Sequence, residues 1–534
     1  MALVSVTSLV LLQTAWSLTR FRRISPDSMN YINVAANIVS GRGLVQDTVG
    51  YGENRFPAGA RFPQPFGVHG PLYPLLIAAM GLLDIPLSDA ALLISGLSYG
   101  AILALAFALM ERLYDRSAAL WALLLLLLSY PLHEAACAAW SENPSLALAM
   151  LSTLLIARPP QAVGAVRAGL AGLLAGLAFA GRYPLLVALP IGVVALMERQ
   201  AAAASVRRVI AYALGFAGVF VPVVARNVVV TGHLAGAGRN QSTVSLAENL
   251  REAALILVGQ LFTETGRRDP WAYTHYKELL QAALLLLSLL VAVHRARHRG
   301  ELGWRARFLG DGRILLPLWI AIYTSFVVVQ RSIINFDPLN ARMLLPAHVF
   351  LLALWAMVLA AGFPQLRTPA LSLALACVVT LRAAPLIMSL LHEQPANDRR
   401  VVRRSPRLTW VQNATSDADL LISEGSQDLM FYLGRRSLYL TAYPHMQPLD
   451  HQQLAHVVLE ACPRYRNIYL LLGVHTSWAE ADYQRRFGPF VTDLAQGRLR
   501  GYPEIELVKR LEDGTVFRLD CKSLSGAARE IAPR

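Results

Sequence analysis

The sequence predicts a polytopic α-helical membrane protein with about 11 transmembrane helices and a small exterior α/β domain at its C-terminal end. Three observations predict it. Of 534 residues, 16% are charged and 55% hydrophobic, where a soluble chain carries about a quarter charged residues. The apolar residues gather in runs long enough to cross a hydrocarbon core of about 30 Å. The cations, nearly all arginine because Lys277, Lys509 and Lys522 are the only lysines, lie mostly in short loops between those runs. That is the positive-inside pattern. It also disposes of the other reading of a net charge of +14: no basic domain stands apart from the spans, so no nucleic acid is expected as a partner.

The runs justify the helices one by one. Residues 2–19 lack a basic n-region and a small-residue cleavage site, so they read as a retained span. Residues 71–83 are apolar but short and contain Pro71 and Pro74, the pattern of an interfacial or re-entrant segment. Residues 87–110 and 117–131 are the second and third spans, and a polar connection within 132–143 leads to the fourth at 144–157. Two spans, roughly 168–181 and 184–197, hinge at Gly181-Arg182-Tyr183-Pro184, and 209–225 is the seventh. A second long polar segment ends at Lys277, and runs at 278–293, 314–330, 343–361 and 369–391 complete the set.

Charge near the span ends gives the orientation. Arg112 and Arg116, Arg158 and Arg167, Arg199 to Arg208, Arg295 to Arg313, and Arg367 fall in one alternating set of loops, short and basic, hence cytoplasmic. The opposite set is longer and richer in acids, aromatics and glycine, hence exterior. Residues 1–391 therefore form a transmembrane domain with exterior loops 20–86 and 226–277, and residues 392–534 an exterior domain. Arg20, Arg22 and Arg23 fall outside against the trend; a true start further upstream, or a first span oriented by its neighbours, accounts for them.

Within 392–534 the character changes. Leu420-Leu421-Ile422, Leu438-Tyr439-Leu440, Ile468 to Leu472 and Val516 to Leu519 read as strands, with helical stretches at 448–461 and 476–487 between them. That order argues for an α/β domain with some parallel pairing. Cys462 and Cys521 both lie here and can pair if the domain is outside the cytoplasm; their spacing leaves the pairing open. No cysteine arrangement has metal-ligand spacing.

The stretch from Ser25 to Gly43 reads as a short helix just outside the first span. Ser25 caps it, Pro26 suits its first position, Asp27 meets the positive end of its dipole, and Gly41 and Gly43 end it in a left-handed turn. Ionisable residues collect on the same face: Glu53, Glu134, Glu142, Arg182, Arg226, Arg239, Asp337 and Arg342. Carboxylates and arginines together suit transfer of a group from a phosphate-bearing lipid to a hydroxyl. The carboxylate takes the hydroxyl proton and the arginines neutralise the departing phosphate. No GxxxxGK[ST] and no strand–GxGxxG–helix unit is present, so no nucleotide cofactor is expected. One Asp with scattered partners does not build an oxygen-ligand metal site.

Several motifs, in order, carry a resemblance. They are Asp27-Ser-Met-Asn-Tyr after span one, His69-Gly-Pro-Leu-Tyr-Pro closing that loop, Trp140-Ser-Glu-Asn-Pro before span four, and Gly176-Leu-Ala-Phe-Ala-Gly-Arg-Tyr at the hinge. Val221-Pro-Val-Val-Ala-Arg-Asn and Asn340-Ala-Arg-Met-Leu-Leu-Pro complete the set. Over about residues 1–390 the sequence resembles the GT-C superfamily of polyprenyl-phosphate-dependent membrane glycosyltransferases, in the branch of protein O-mannosyltransferases and aminoarabinose transferases.

The resemblance implies an inverting glycosyltransferase of a bacterial inner (plasma) membrane, acting on the exterior face. Its donor is a polyprenyl-phosphate-linked sugar, its acceptor a glycan, lipid or protein, and membrane lipids surround it. By the resemblance Asp27 takes the catalytic position, and Arg182 and Arg342 lie near positions that approach the donor phosphate; from their own placement on the exterior face, Glu142 is the candidate second catalytic carboxylate and Arg226 a third candidate phosphate-binding arginine. From their placement on the same face, Tyr31, His69 and Tyr73 are the candidate lining of the substrate cavity. Ser28 occupies the place where many members carry a second acid, which leaves a rival reading, a catalytically silent GT-C relative that binds a lipid or partner protein. Each residue also has a plainer role: Asp27 as a helix-end charge, Arg182 as a snorkelling cation, His69 as a packed loop residue, Tyr31 as a core aromatic. A transporter fits less well, because the polar residues gather at one face rather than at mid-membrane.

Overall fold

The computed structural model describes residues 2–47, 62–157, 163–197, 202–236, 241–259, 281–291, 314–334, 339–392, 398–439, 454–473, 490–494 and 499–523, apart from single residues and pairs within them. Glu53, Arg239, Asp337 and the expected helix at 476–487 lie outside the described residues.

Helix α1 (Ala2–Trp16) continues through a π-helical turn, Ser17–Phe21, to α2 (Pro26–Val39). The start of α2 is a complete capping box. Ser25 Oγ accepts the Ser28 N–H at 3.3 Å and Ser28 Oγ accepts the Ser25 N–H at 3.1 Å. Its end is left-handed at Gly41 (φ 79°) and Gly43 (φ 82°). A two-stranded ribbon, β1 (Val45–Gln46) with β2 (Gln64–Pro65), closes the first loop onto α3 (Leu72–Gly81).

The membrane part continues with α4 (Leu87–Leu113), α5 (Arg116–Leu128), α6 (Tyr130–Cys137), α7 (Glu142–Ile156) and α8 (Ala165–Gly181). After a 3-10 turn, Tyr183–Val187, come α9 (Ala188–Leu196), α10 (Ala202–Thr231) and α11 (Leu246–Gly259), then helices Leu315–Ile333, Leu345–Gly362 and Thr368–His392. Among the described residues five helices are long and apolar enough to cross a membrane: α4, Ser205–Thr231 of α10, and the last three. The α5–α6 pair, bent by 63°, makes a sixth. Shorter apolar helices are α3, α7, α8 and Tyr183–Leu196. The chain is an integral membrane protein.

One expected connection is different. Residues 132–137, read as part of a polar link, belong to α6. Pro131 breaks α5 but suits the first turn of the next helix, so helix resumes at an angle. The Arg382 guanidinium donates to the Leu127 carbonyl beside that break, satisfying a group that an apolar surround would otherwise strand.

Beyond His392, helices Asp398–Arg404, Pro406–Ala414 and Ser426–Leu433 accompany a five-stranded sheet ordered β4-β3-β5-β7-β6. The strands are β3 (Leu420–Ser423), β4 (Ser437–Tyr439), β5 (Ile468–Gly473), β6 (Ile505–Leu511) and β7 (Gly514–Leu519). Strand β3 runs parallel to β4 and β5, and β7 antiparallel to β5 and β6. Strand β6 was not expected: its middle is solvent-facing, so it shows no apolar alternation. Within 448–461 the described Leu454, Ala455, Val458, Leu459 and Ala461 are helical. Cys462 and Cys521 form a disulfide with Cα atoms 5.8 Å apart.

This C-terminal region rests on the first loop. Phe431 packs against the apolar cluster built by α2, α3 and the start of α4, and Phe62 against the core of the sheet. Arg436 Nε stands 3.4 Å from the buried Asp47 carboxylate, which Arg42 also meets at 3.3 Å.

Candidate active site

The cap of α2 fixes where Asp27 emerges, in the first turn of the helix. Its Oδ2 is 2.7 Å from Arg342 Nη1, and its Oδ1 is 3.8 Å from His69 Nε2. Burial pushes this carboxyl up, but Arg342 and then His69 pull it down, and it stays below the usual carboxylate range.

Glu142 is the first residue of α7 and is buried. Its Oε1 accepts from Arg182 Nη1 at 2.5 Å and also from Arg342 Nε. Arg342 thus joins the two carboxylates. Among the described residues the buried Glu142 Oε2 atom meets no hydrogen-bond partner.

Three local features aim Arg182, Arg342 and His69. Arg182 follows the last turn of α8, where the helix dipole favours a positive charge. The turn bearing Arg342 is held by Asn340 Oδ1, which accepts the Met343 N–H at 2.9 Å, and by the Tyr323 hydroxyl on the Met343 carbonyl at 2.9 Å. His69 reaches the site because its neighbour Gly70 lies against the end of α8; a Cβ there would stand 2.1 Å from the Ala180 carbonyl oxygen. The Tyr183 hydroxyl also donates to the His69 carbonyl, at 3.2 Å.

A cavity of about 480 Å³ opens over this cluster, lined by Asp27, Tyr31, His69, Arg182 and Arg342 among the residues singled out from sequence. Tyr31 meets His69 edge-on at 5.2 Å and its hydroxyl lies 3.1 Å from Ser141 Oγ. Burial, then Asp27 and Glu142, push its phenol up, so it is neutral. The other three expected residues do not line the cavity. Glu142 lies behind the arginines. Tyr73 lies behind Tyr31, 5.1 Å away, with its hydroxyl on the Ala91 carbonyl at 2.8 Å. Arg226 turns to the Leu44 carbonyl at 3.0 Å. Glu134 is buried in α6 and does not line the cavity either.

Sequence reasoning missed Tyr183, His233, Tyr323, Gln330 and Asn340, which also line it. Tyr183 and Asn340 flank the singled-out arginines. Tyr323 and Gln330 are polar residues two helical turns apart in an apolar run, a signal that was readable. Among the described residues no group of three His, Cys, Asp or Glu side chains is placed to hold a metal ion. The arrangement can receive an anion between two arginines with a carboxylate alongside.

No family model matches the sequence, and no curated protein does. Solved structures do match in fold. Apo ArnT from Cupriavidus metallidurans aligns over 98% of this chain and 98% of its own, with a TM-score of 0.59 at 13% identity. The same protein bound to undecaprenyl phosphate aligns over 96% and 97%, with a TM-score of 0.56 at 12% identity. The oligosaccharyltransferase AglB from Archaeoglobus fulgidus, in complex with an inhibitory peptide and a dolichol-phosphate, aligns over 92% and 72%, with a TM-score of 0.51 at 10% identity. This chain therefore shares the fold of these proteins.

Proposed function

We propose that this protein transfers a sugar from a polyprenyl-phosphate carrier to an acceptor hydroxyl, with inversion, at the exterior face of a bacterial inner membrane. One observation carries the proposal: Asp27, Arg342 and Arg182 meet at one cavity in a chain with the fold of a protein solved with undecaprenyl phosphate. The acceptor oxygen attacks the anomeric carbon and its proton passes to Asp27. The bond from that carbon to the phosphate oxygen breaks, and its electron pair stays on the phosphate between Arg342 and Arg182. Glu142 acts as a positioning residue, holding both guanidinium groups through one oxygen. Neither a metal nor an organic cofactor takes part. The fold is read as about 11 spans, with the shorter apolar helices counted among them. Residues 392–534 are an exterior α/β domain, and the Cys462–Cys521 disulfide supports an oxidising side.

The rival silent reading drew on Ser28. That residue is half of the α2 capping box, and a second carboxylate, Glu142, stands at the arginines. The test is transfer from a panel of undecaprenyl-phosphate sugars by purified, reconstituted full-length protein. Loss of transfer in Asp27→Asn with intact folding supports the assignment, and full activity in that variant sinks it.

A further inference from the structure

We infer that Trp140 is a positioning residue for this site, its indole edge setting where α2 begins and its face setting where the Arg342 guanidinium lies. The inference rests on the proposed transfer reaction and adds a residue to it.

Three links converge on this residue, one through its backbone and two through its indole. Its carbonyl accepts from Ser95 Oγ at 3.2 Å, and Ser95 in turn lies 3.1 Å from the Tyr73 hydroxyl, so the root of the ring is tied to α4. Its indole N–H donates to Ser25 Oγ at 2.8 Å, the same hydroxyl that caps α2 two residues before Asp27. Its ring face carries the Arg342 Cζ atom 4.2 Å from the centroid. The two halves of the Asp27–Arg342 ion pair therefore have a common support, outside the pair itself.

The chemistry of that support matters. Arg342 uses Nη1 on Asp27 and Nε on Glu142. A guanidinium that must turn N–H groups from a carboxylate to an incoming phosphate needs a base that attracts cations without claiming an N–H. An aromatic face does this; a third carboxylate would hold the group too tightly, and an aliphatic side chain would not hold it.

Trp140 is also buried in the core of the membrane helices, so the experiment separates positioning from packing. The probe is undecaprenyl phosphate, titrated into purified full-length protein in detergent, with thermal stability recorded alongside. Trp140→Leu keeps apolar bulk and loses both contacts; its affinity should fall about tenfold. Trp140→Phe keeps a ring face and should bind within about threefold of wild type. It loses the N–H, so its transfer rate should fall while its KM for donor holds. Ser25→Ala should lower the rate in the same way, and the Ser25→Ala/Trp140→Phe pair should be no worse than the poorer single variant. Wild-type affinity in Trp140→Leu, or additive losses in the double variant, would overturn the positioning role. If Trp140→Leu does not fold, the Phe and Ala variants decide alone. No binding by the wild type would overturn the donor reading itself, and this role with it.

Discussion

Among the described residues two polar clusters among the apolar helices can be compared, and one of them borders a cavity. At the loop-bearing face Asp27, Glu142, Arg182 and Arg342 come from four separate stretches of chain and meet beside a cavity. Between α1, α4, α6 and the Thr368–His392 helix stand Gln13, Tyr99, His133, Cys137 and Arg382. Gln13 Nε2 is 3.5 Å from Cys137 Sγ, which is 3.9 Å from His133 Nε2, and Arg382 faces Tyr99 and His133. None of these five lines the cavity. Arg382 is spent on a backbone carbonyl at the α5–α6 break. An ionisable residue in a membrane is a functional candidate by default, and the contrast shows when that default fails. A cation that repairs a broken helix needs no space beside it; one that receives a ligand does.

The sharpest way to break the contrast is to change one charge in each cluster. Asp27→Asn removes the proton acceptor and should lower transfer by about 10³-fold, within the range for a lost general base. The same variant frees Arg342 Nη1, so undecaprenyl phosphate should bind it at least as tightly as wild type. Weaker binding would mean that Asp27 orients the arginine rather than competing with phosphate for it. Glu142→Gln leaves the base in place but loosens both guanidinium groups, and should cost about 10²-fold with a raised donor KM. Equal losses in kcat alone for both variants would erase the distinction between base and positioning residue.

Arg382→Met should behave in the opposite manner. It strands the Leu127 carbonyl, at a cost of about 1–3 kcal/mol, which a lowered Tm would report. Transfer per folded molecule should stay within about twofold, since Arg382 does not line the cavity. A folded Arg382→Met protein without transfer would place function in the Arg382 cluster as well.

What was readable from sequence was local. The Ser25 cap, the glycine turn after α2 and the β3, β4, β5 and β7 strands follow from short-range propensity and pattern, and the structure has them. Arginines at span ends were visible because the positive-inside trend made them stand out. What was not readable depended on tertiary approach. Which acid would meet Arg342 besides Asp27, that Arg226 would turn to Leu44, and that Trp140 would lie under a guanidinium leave no trace in spacing. Ser28 shows the risk of reading position without geometry: a residue noted for not being an acid turned out to cap the helix on which Asp27 sits.

The subtlest expected effect is on pH dependence, and its sign follows from the forces on Asp27. Burial is the largest and raises its pKa; Arg342 is next and lowers it, with His69 behind, and the net shift is downward. An aspartate so held is ionised at neutral pH and remains so below its ordinary value of about 3.9. The stability it contributes is present above that unfolded-state value and is lost as pH falls through the lower folded one. In wild type the acid limb of kcat/KM assigned to Asp27 should therefore lie below about pH 4. Arg342→Gln removes the largest lowering force and leaves burial in place. Its residual transfer should then lose activity at a higher pH than wild type, with the limb moved toward neutrality. A pH profile of kcat/KM for both proteins checks this. If the limb stays where it was, the Asp27–Arg342 pair does not set the ionisation of the base. The bridge between the two carboxylates would then serve only to hold the arginine in place.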